Sequence, residues 1–277
     1  MRERRRRTMN SPSFSGLAHK TVIVTGGSKG IGAGIVEQFA KLGGARVAIA
    51  DVDSQGEALA ERWRKDGCEV RYYSCDVSRT FDIERMMAAV ENDFGGVDVL
   101  VNNAGIFPRG DLMSTDEALW DRVIGINLKG VFLMCKAAAP AMIRQGTGGS
   151  IINIGSLHSA KGEDNTLAYA VSKGGLITMT RNLAHALAKH SIRVNCVHPG
   201  WVASEGEVSR WEGLGTHEFD HIQRSIQNLP LGRMQTGTDI ANAAVFLASD
   251  LAEQITGQML TVDGGLSVRR PLSDMSR

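Results

Sequence analysis

Tyr169 and Lys173, four positions apart in Tyr169-Ala170-Val171-Ser172-Lys173, are the residues in this chain whose types and spacing best suit proton transfer. The apolar spacing around them is helical, and residues four apart on a helix share a face, with Cβ atoms about 5–6 Å apart. A free phenol ionises near pH 10, roughly three units too high for an efficient base at neutral pH. Lowering it that far takes roughly 4 kcal/mol, and one ammonium at about 4 Å supplies about that much at an effective dielectric near 20. By this measure Lys173 alone nearly suffices to activate Tyr169.

A second set of residues suits a phosphate. Thr25-Gly26-Gly27-Ser28-Lys29-Gly30-Ile31-Gly32 follows a β-branched run and precedes a helical one. Glycines there let the backbone turn sharply and approach a pyrophosphate, whose charge sits at the helix N-terminus. Asp51 ends the next strand, nineteen positions after Gly32. A carboxylate there accepts hydrogen bonds from ribose hydroxyls and repels a 2′-phosphate, which favours NAD over NADP. Lys29 pulls the other way, but a carboxylate beside the 2′-position disfavours the phosphate wherever the lysine lies.

Positioning these groups requires an alternating chain. Strands are predicted at residues 22–24, 46–50, 70–75, 97–101, 151–154, 193–197 and 259–262. Helices are predicted from Ile31 to a stop at Gly43-Gly44, from an N-cap at Ser54 to Asp66, over 80–94, over 128–144 with a kink at Pro140, through Tyr169 to His190, and over 238–249. Short strands alternating with helices of about twelve residues argue for a parallel sheet covered on both faces, joined by right-handed crossovers. Residues 205–230 show no clear period and read as a substrate lid; Phe219, Ile222 and Ile226 allow a short helix within it.

Composition adds bounds. The formal net charge is +1 and 43% of residues are hydrophobic, as in a globular protein with no polyanionic partner. Cys68, Cys75, Cys135 and Cys196 lack metal-ligand spacing and read as reduced intracellular thiols, so no metal is expected. No uninterrupted apolar run approaches the roughly 18 residues of a membrane span. Residues 1–16 begin MRERRRR without an apolar stretch after it, and read as a disordered basic tail or as an upstream start before Met9. A single domain over 17–270 and a C-terminal tail over 271–277 follow, with a cytoplasmic location.

The motifs also carry a resemblance. The glycine loop has the spacing TGxxxGxG. Asp76-Val77 follows the third strand, Asn102-Asn103-Ala104-Gly105 the fourth, and Pro199-Gly200 the sixth. Asn127 lies in Asn127-Leu128-Lys129-Gly130, Ser156 precedes Tyr169 by thirteen positions, and Val262-Asp263-Gly264-Gly265 comes last. In these features residues 17–268 resemble the short-chain dehydrogenase/reductase family, in its form of about 250 residues.

The resemblance implies a three-layer, doubly wound Rossmann fold with a seven-stranded parallel sheet. It implies a catalytic set of Asn127, Ser156, Tyr169 and Lys173. Tyr169 would be general acid/base, Lys173 would lower its pKa and hold the nicotinamide ribose, Ser156 would bind the substrate oxygen, and Asn127 would hold a relay water. Dinucleotide contacts are implied at Gly26, Ser28, Lys29, Gly30, Ile31, Gly32, Asp51, Asp76, Val77, Asn103, Ala104, Gly105, Tyr169, Lys173, Pro199, Gly200, Val202 and Ser204. The helices at 128–144 and 168–190 resemble those that pair subunits into homotetramers or homodimers. Three positions depart from the family: Gly155 stands where a second serine is common, Ser204 where a threonine is, and Glu205 where an apolar residue is.

The expected function is an NAD(H)-dependent oxidoreductase interconverting a secondary alcohol and a ketone. Glu205, Glu207 and few aromatics near the lid suggest a sugar- or polyol-like substrate, without nucleic-acid or membrane partners. The rival within enzymes is a 3-oxoacyl thioester reductase using NADPH. A non-catalytic dinucleotide sensor, with the arginine tail on nucleic acid, is the rival from another class. His158 is open between pocket wall and ordinary loop histidine, His198 reads as structural, and no serine–histidine–acid set stands out.

Overall fold

The computed structural model describes residues 14–42, 44–209, 211 and 215–268. The C-terminal tail, most of the N-terminal tail and Gly43 lie outside the described residues.

Seven strands form one parallel sheet: β1 (Thr21–Thr25), β2 (Arg46–Asp51), β3 (Glu69–Ser74), β4 (Val99–Asn102), β5 (Gly149–Ile154), β6 (Ile192–Pro199) and β7 (Met259–Val262). Their order is β3-β2-β1-β4-β5-β6-β7. The sheet is buried on both faces, which is why its central strands read as unbroken apolar runs. Val22, Val24, Val47, Ile49, Ile152 and Ile154 point to one layer, and Ile23, Ala48, Ala50, Leu100 and Ile151 to the other.

The first layer contains α1 (Gly30–Lys41), α2 (Gln55–Lys65) and α9 (Gly237–Ala248). The second contains α3 (Thr80–Phe94), α4 (Glu117–Ile124), α5 (Val131–Gln145) and α6 (Leu167–Leu187). Strand order reverses between β1 and β4, so a crevice opens at the carboxyl ends of the strands, where this fold class binds ligands.

Strand ends fall within two residues of expectation; the helices differ more. The helix expected over 128–144 is the later part of a run of 29 residues, Glu117–Gln145, made of α4, a π-helical segment Gly125–Gly130, and α5. Its start is set by Asp116, whose carboxylate accepts from Leu119 N at 2.7 Å. Pro140 lies inside α5, which continues to Gln145. This helix is long and apolar enough to cross a membrane, unlike any uninterrupted apolar run of the sequence. Its inward side is packed in the core through Val123, Val131, Met134, Ala138 and Met142.

Ser54 occupies the N-cap position of α2 but makes no side-chain cap. The Asp53 carboxylate accepts from Gln55 N at 2.9 Å instead. The helix of Tyr169 ends at Leu187 and continues as a 3-10 turn to His190. In the lid, the helical alternative prevails: α7 (Glu205–Ser209) and α8 (Thr216–Gln227) occupy much of it.

Candidate active site

A cleft of about 790 Å³ runs across the carboxyl ends of the strands. At one end lies the glycine loop. A Cβ on Gly26, where φ is +61°, would come 2.8 Å from Ala104 Cα. One on Gly32 would run into the Gly26 carbonyl. The loop is thus packed backbone to backbone against the end of β4. Asn103 fastens it, its amide donating to Thr25 O at 3.0 Å and Gly26 O at 2.9 Å. Thr25 Oγ1 returns the contact, accepting from the backbone N–H groups of Asn103 and Ala104 at 3.0 Å each.

Asp51 is built into this end. Its carboxylate accepts from Ser28 N at 2.9 Å and from Asp53 N at 3.0 Å. Lys29 does not stand free: its Nζ lies 2.6 Å from Asp53 Oδ2. Asp53 is a partner that sequence reasoning missed, although its place two positions beyond Asp51 is visible there. Asp76 accepts from Ser78 N at 2.9 Å and Ser78 Oγ at 2.7 Å, which orients the turn after β3.

Of the expected cofactor residues, Gly26, Lys29, Ile31, Asp51, Asp76, Val77, Asn103, Ala104, Gly105, Tyr169, Lys173, Pro199, Gly200, Val202 and Ser204 line the cleft. Ser28, Gly30 and Gly32 are not among its walls and shape the loop behind it. A turn whose Gly26 and Gly32 leave no room for Cβ atoms, the N-terminus of α1 beside it and the Asp51 carboxylate at the same end fit a dinucleotide.

At the other end lie Ser156, Tyr169 and Lys173. Ser156 follows β5 and caps a 3-10 turn, Leu157–Ser159. Lys173 is buried on α6, and its Nζ donates to Ile154 O at 2.8 Å. Nζ lies 5.7 Å from the centre of the Tyr169 ring. Burial pushes the Tyr169 phenol up, and the Ser156 hydroxyl is the neighbour that opposes it. Burial also lowers Lys173 to about 8, with Cys196 working weakly against it. Desolvation therefore drives both groups toward neutrality. The Lys173 ammonium is at the same time held by the Ile154 carbonyl.

Asn127 is fully buried in the π-helical segment and does not line the cleft. Its carboxamide is committed to the backbone of Ile106, donating to the carbonyl and accepting from the N–H, both at 2.9 Å. It also donates to Ser172 Oγ at 3.3 Å. A Cβ on Gly105 would lie 3.3 Å from Asn127 Oδ1 and 3.7 Å from Lys173 Nζ, so both side chains meet at that turn.

His158 does line the cleft, and with it a serine, a histidine and an acid fall into one chain, contrary to expectation. His158 Nδ1 is 3.0 Å from Ser156 Oγ, and Nε2 is 2.6 Å from Glu163 Oε2. Arg109 Nη1 backs the acid at 3.3 Å from Glu163 Oε1. The sequence hides this set because it depends on the 3-10 turn that aims the imidazole; the closeness of Ser156, His158 and Glu163 along the chain was the available signal. His198 is buried, with Nδ1 3.3 Å from Ser159 Oγ and Nε2 without a partner. Burial holds its pKa below the usual range, and the Lys173 charge adds to that.

The substrate end is more aromatic than expected. Trp201, Trp211 and Phe107 all line it. The two tryptophans meet edge-on at 6.4 Å, and Trp201 Nε1 donates to Glu207 Oε1 at 3.0 Å. Phe107 stacks on Tyr169 at 4.2 Å. Glu207 borders the cleft and Glu205 does not. Among the described residues, no three His, Cys, Asp or Glu side chains group as metal ligands.

Residues 26–267 match the family described as enoyl-(acyl carrier protein) reductase. The chain is 37% identical over 255 residues to galactitol 2-dehydrogenase of Agrobacterium fabrum, covering 90% of this chain and 98% of that protein. It is 38% identical over 249 residues to a 3-oxoacyl-(acyl-carrier-protein) reductase of Staphylococcus epidermidis, covering 90% and 99%. Its structure is similar to that of a putative short-chain dehydrogenase/reductase from Burkholderia xenovorans, with a TM-score of 0.86, 37% identity, and coverage of 92% of this chain and 99% of the other.

Proposed function

Since the chain belongs to the short-chain dehydrogenase/reductase family, oxidoreductases that act on CH–OH groups, we propose that it interconverts a secondary alcohol and a ketone using NAD(H), with Tyr169 as general acid/base. The observation that carries this reading is the single cleft that has Asp51 and the glycine loop at one end and Ser156, Tyr169 and Lys173 at the other. The dinucleotide supplies or accepts the hydride. Gly26, Ile31, Asp51, Asp76, Val77 and the turn Asn103–Gly105 would hold it, with Lys173 on its nicotinamide ribose. Ser156 orients the substrate oxygen. Asn127 contributes by fixing Ile106 and the Gly105 turn beside Lys173, and a water in that corner would carry protons onward.

Two features favour NAD over NADP. Asp51 would set a carboxylate beside the 2′-hydroxyl of a bound dinucleotide, and Asp53 holds the nearby glycine-loop cation Lys29. A hydroxylated substrate suits the other end. Flat tryptophan faces take the C–H face of a sugar or polyol, and Glu207, Glu163 and Arg109 supply polar partners. The Agrobacterium fabrum relative named for galactitol agrees with this choice.

Reduction of a 3-oxoacyl thioester is the second reading, favoured by the Staphylococcus epidermidis relative of similar identity. A panel of polyols and sugars with NAD, run beside an acetoacetyl thioester with NADPH and followed by NADH or NADPH absorbance, separates them. Turnover restricted to the thioester with NADPH would overturn the polyol reading. Comparable kcat/KM with both dinucleotides would overturn the preference for NAD. No turnover with either set, together with salt-dependent nucleic-acid binding lost on removing residues 1–7, would favour a sensor.

A single catalytic domain over 17–270 with its lid at 205–230, in a cytoplasmic protein without nucleic-acid or membrane partners, completes the reading. Exposed Phe132 on α5 and Val171 on α6 suit pairing into homodimers or a homotetramer, which sedimentation measures.

A further inference from the structure

The Ser156 hydroxyl has one proton and two lone pairs to place. One lone pair takes the His158 backbone N–H at 3.2 Å. The Glu163 carboxylate can only accept, so the His158 Nε2, 2.6 Å away, carries a hydrogen. In a neutral imidazole the other nitrogen is then an acceptor. That nitrogen, Nδ1, lies 3.0 Å from Ser156 Oγ and takes the serine proton. One lone pair of Oγ remains, on the side where the Tyr169 phenol and the cleft meet Ser156.

Glu163 is kept ionised for this part. Burial resists its ionisation, but the hydrogen bonds it accepts from His158 Nε2 and from Arg109, together with the Arg109 charge, outweigh burial and hold the carboxyl below its usual range. The imidazole is also fixed sideways. It stands edge-on to Tyr169 with centroids 5.7 Å apart, and 5.6 Å from the Phe107 ring.

We infer that Ser156, His158 and Glu163 form a second proton path between the substrate oxygen and solvent, beside the one through Tyr169. The inference rests on the alcohol–ketone reading above. During oxidation the alcohol O–H bond breaks and its proton passes to Ser156 Oγ. The Ser156 O–H bond breaks and that proton passes to His158 Nδ1; a bound oxidised dinucleotide would take the C–H electron pair as hydride. The imidazolium formed lies against the Glu163 carboxylate and gives its proton to water. The side chains of His158 and Glu163 are 22% and 42% exposed, whereas Lys173 is only 5% exposed. The path therefore ends on groups more exposed to bulk water than Lys173 is.

His158 acts through Ser156 and is a positioning residue, not one that touches substrate. The charged and titratable groups around it are Glu163 before α6, Arg109 behind Glu163 from the loop after β4, Lys161 on the same cleft wall, and Tyr169 on α6. A protonated ring cannot accept, so the path needs the neutral imidazole.

Two measurements test this. Proton–nitrogen correlation spectra of the ring nitrogens, assigned by the signals missing in His158→Phe, should show neutral His158 with a bare Nδ1 and a protonated Nε2. Glu163→Gln should weaken that preference. The opposite tautomer in the wild type overturns the inference, whatever the substrate. In a Tyr169→Phe background, a residual oxidation rate should persist. Adding His158→Phe should lower it at least tenfold, and adding Glu163→Gln should lower it with the ring still present. No residual rate, or one that neither change lowers, overturns the inference. If the wild type oxidises no alcohol, the reading of the site falls while the tautomer still decides the relay.

Discussion

Gly155, just after β5, lies under the imidazole of His198 on β6: a Cβ built on Gly155 would come within 2.5 Å of His198 Cδ2 and 2.8 Å of Cys196 Sγ. This accounts for the missing second serine. The neighbouring strand fills the space that its side chain would occupy, and Gly155 N is tied to that strand through Val197 O at 2.7 Å.

Gly155→Ser should therefore lower stability by about 1–3 kcal/mol, the usual cost of overpacking a close-fitted interior. His198→Ala in the same chain should recover part of the loss. Denaturant unfolding of the four variants of the cycle measures the coupling, expected above about 0.5 kcal/mol for residues in contact. Additive effects would mean that the serine finds room without moving the histidine.

Tyr169→Phe keeps the ring volume and its stacking on Phe107, so the fold and the cofactor half should survive. We expect kcat to fall by about 10²-fold or more, within the range for losing a general acid/base. Dinucleotide affinity, read by NADH fluorescence, should stay within about threefold, because the glycine loop and Asp51 are built independently of the phenol. A near-normal kcat would remove Tyr169 from the role of acid/base.

Asp53→Asn should release Lys29 while leaving an amide oxygen to accept from Gln55 N. The freed ammonium can then meet a 2′-phosphate. The ratio of kcat/KM with NADP(H) to that with NAD(H) should rise, on the order of tenfold, or about 1.4 kcal/mol of discrimination. An unchanged ratio would leave dinucleotide choice to Asp51 alone.

The fold was legible because apolar strands, helical runs and glycine punctuation all agreed. The cofactor end was legible for a related reason: backbone turns and a strand-end carboxylate are local features. What stayed hidden depends on distance. The Lys29–Asp53 pair requires the loop after β1 and the loop after β2 to meet. The Ser156–His158–Glu163 chain requires a 3-10 turn that carries no apolar period. Trp201 and Trp211 looked unrelated until the lid folded over the cleft as helices. The direction in which the Tyr169 pKa moves was hidden too, since spacing gives the distance between two charges but not the desolvation of either.

Lys173 should make the protein less stable at neutral pH than it need be. Its ammonium is buried, and burial lowers its pKa from 10.5 to about 8. The unfolded chain therefore binds more protons than the native one between those values, so stability rises with pH from about 8 to 10.5 and is lowest below that window. Lys173→Met removes the charge and keeps the stem. It should abolish turnover and yet raise neutral-pH stability by about 1–3 kcal/mol, since a displaced pKa costs roughly 1.36 kcal/mol for each pH unit. It should also flatten the rise in stability between pH 8 and 10.5. Urea midpoints of the two proteins across that range measure both effects. A less stable Lys173→Met protein would show that the hydrogen bond to Ile154 O outweighs the cost of burying the charge.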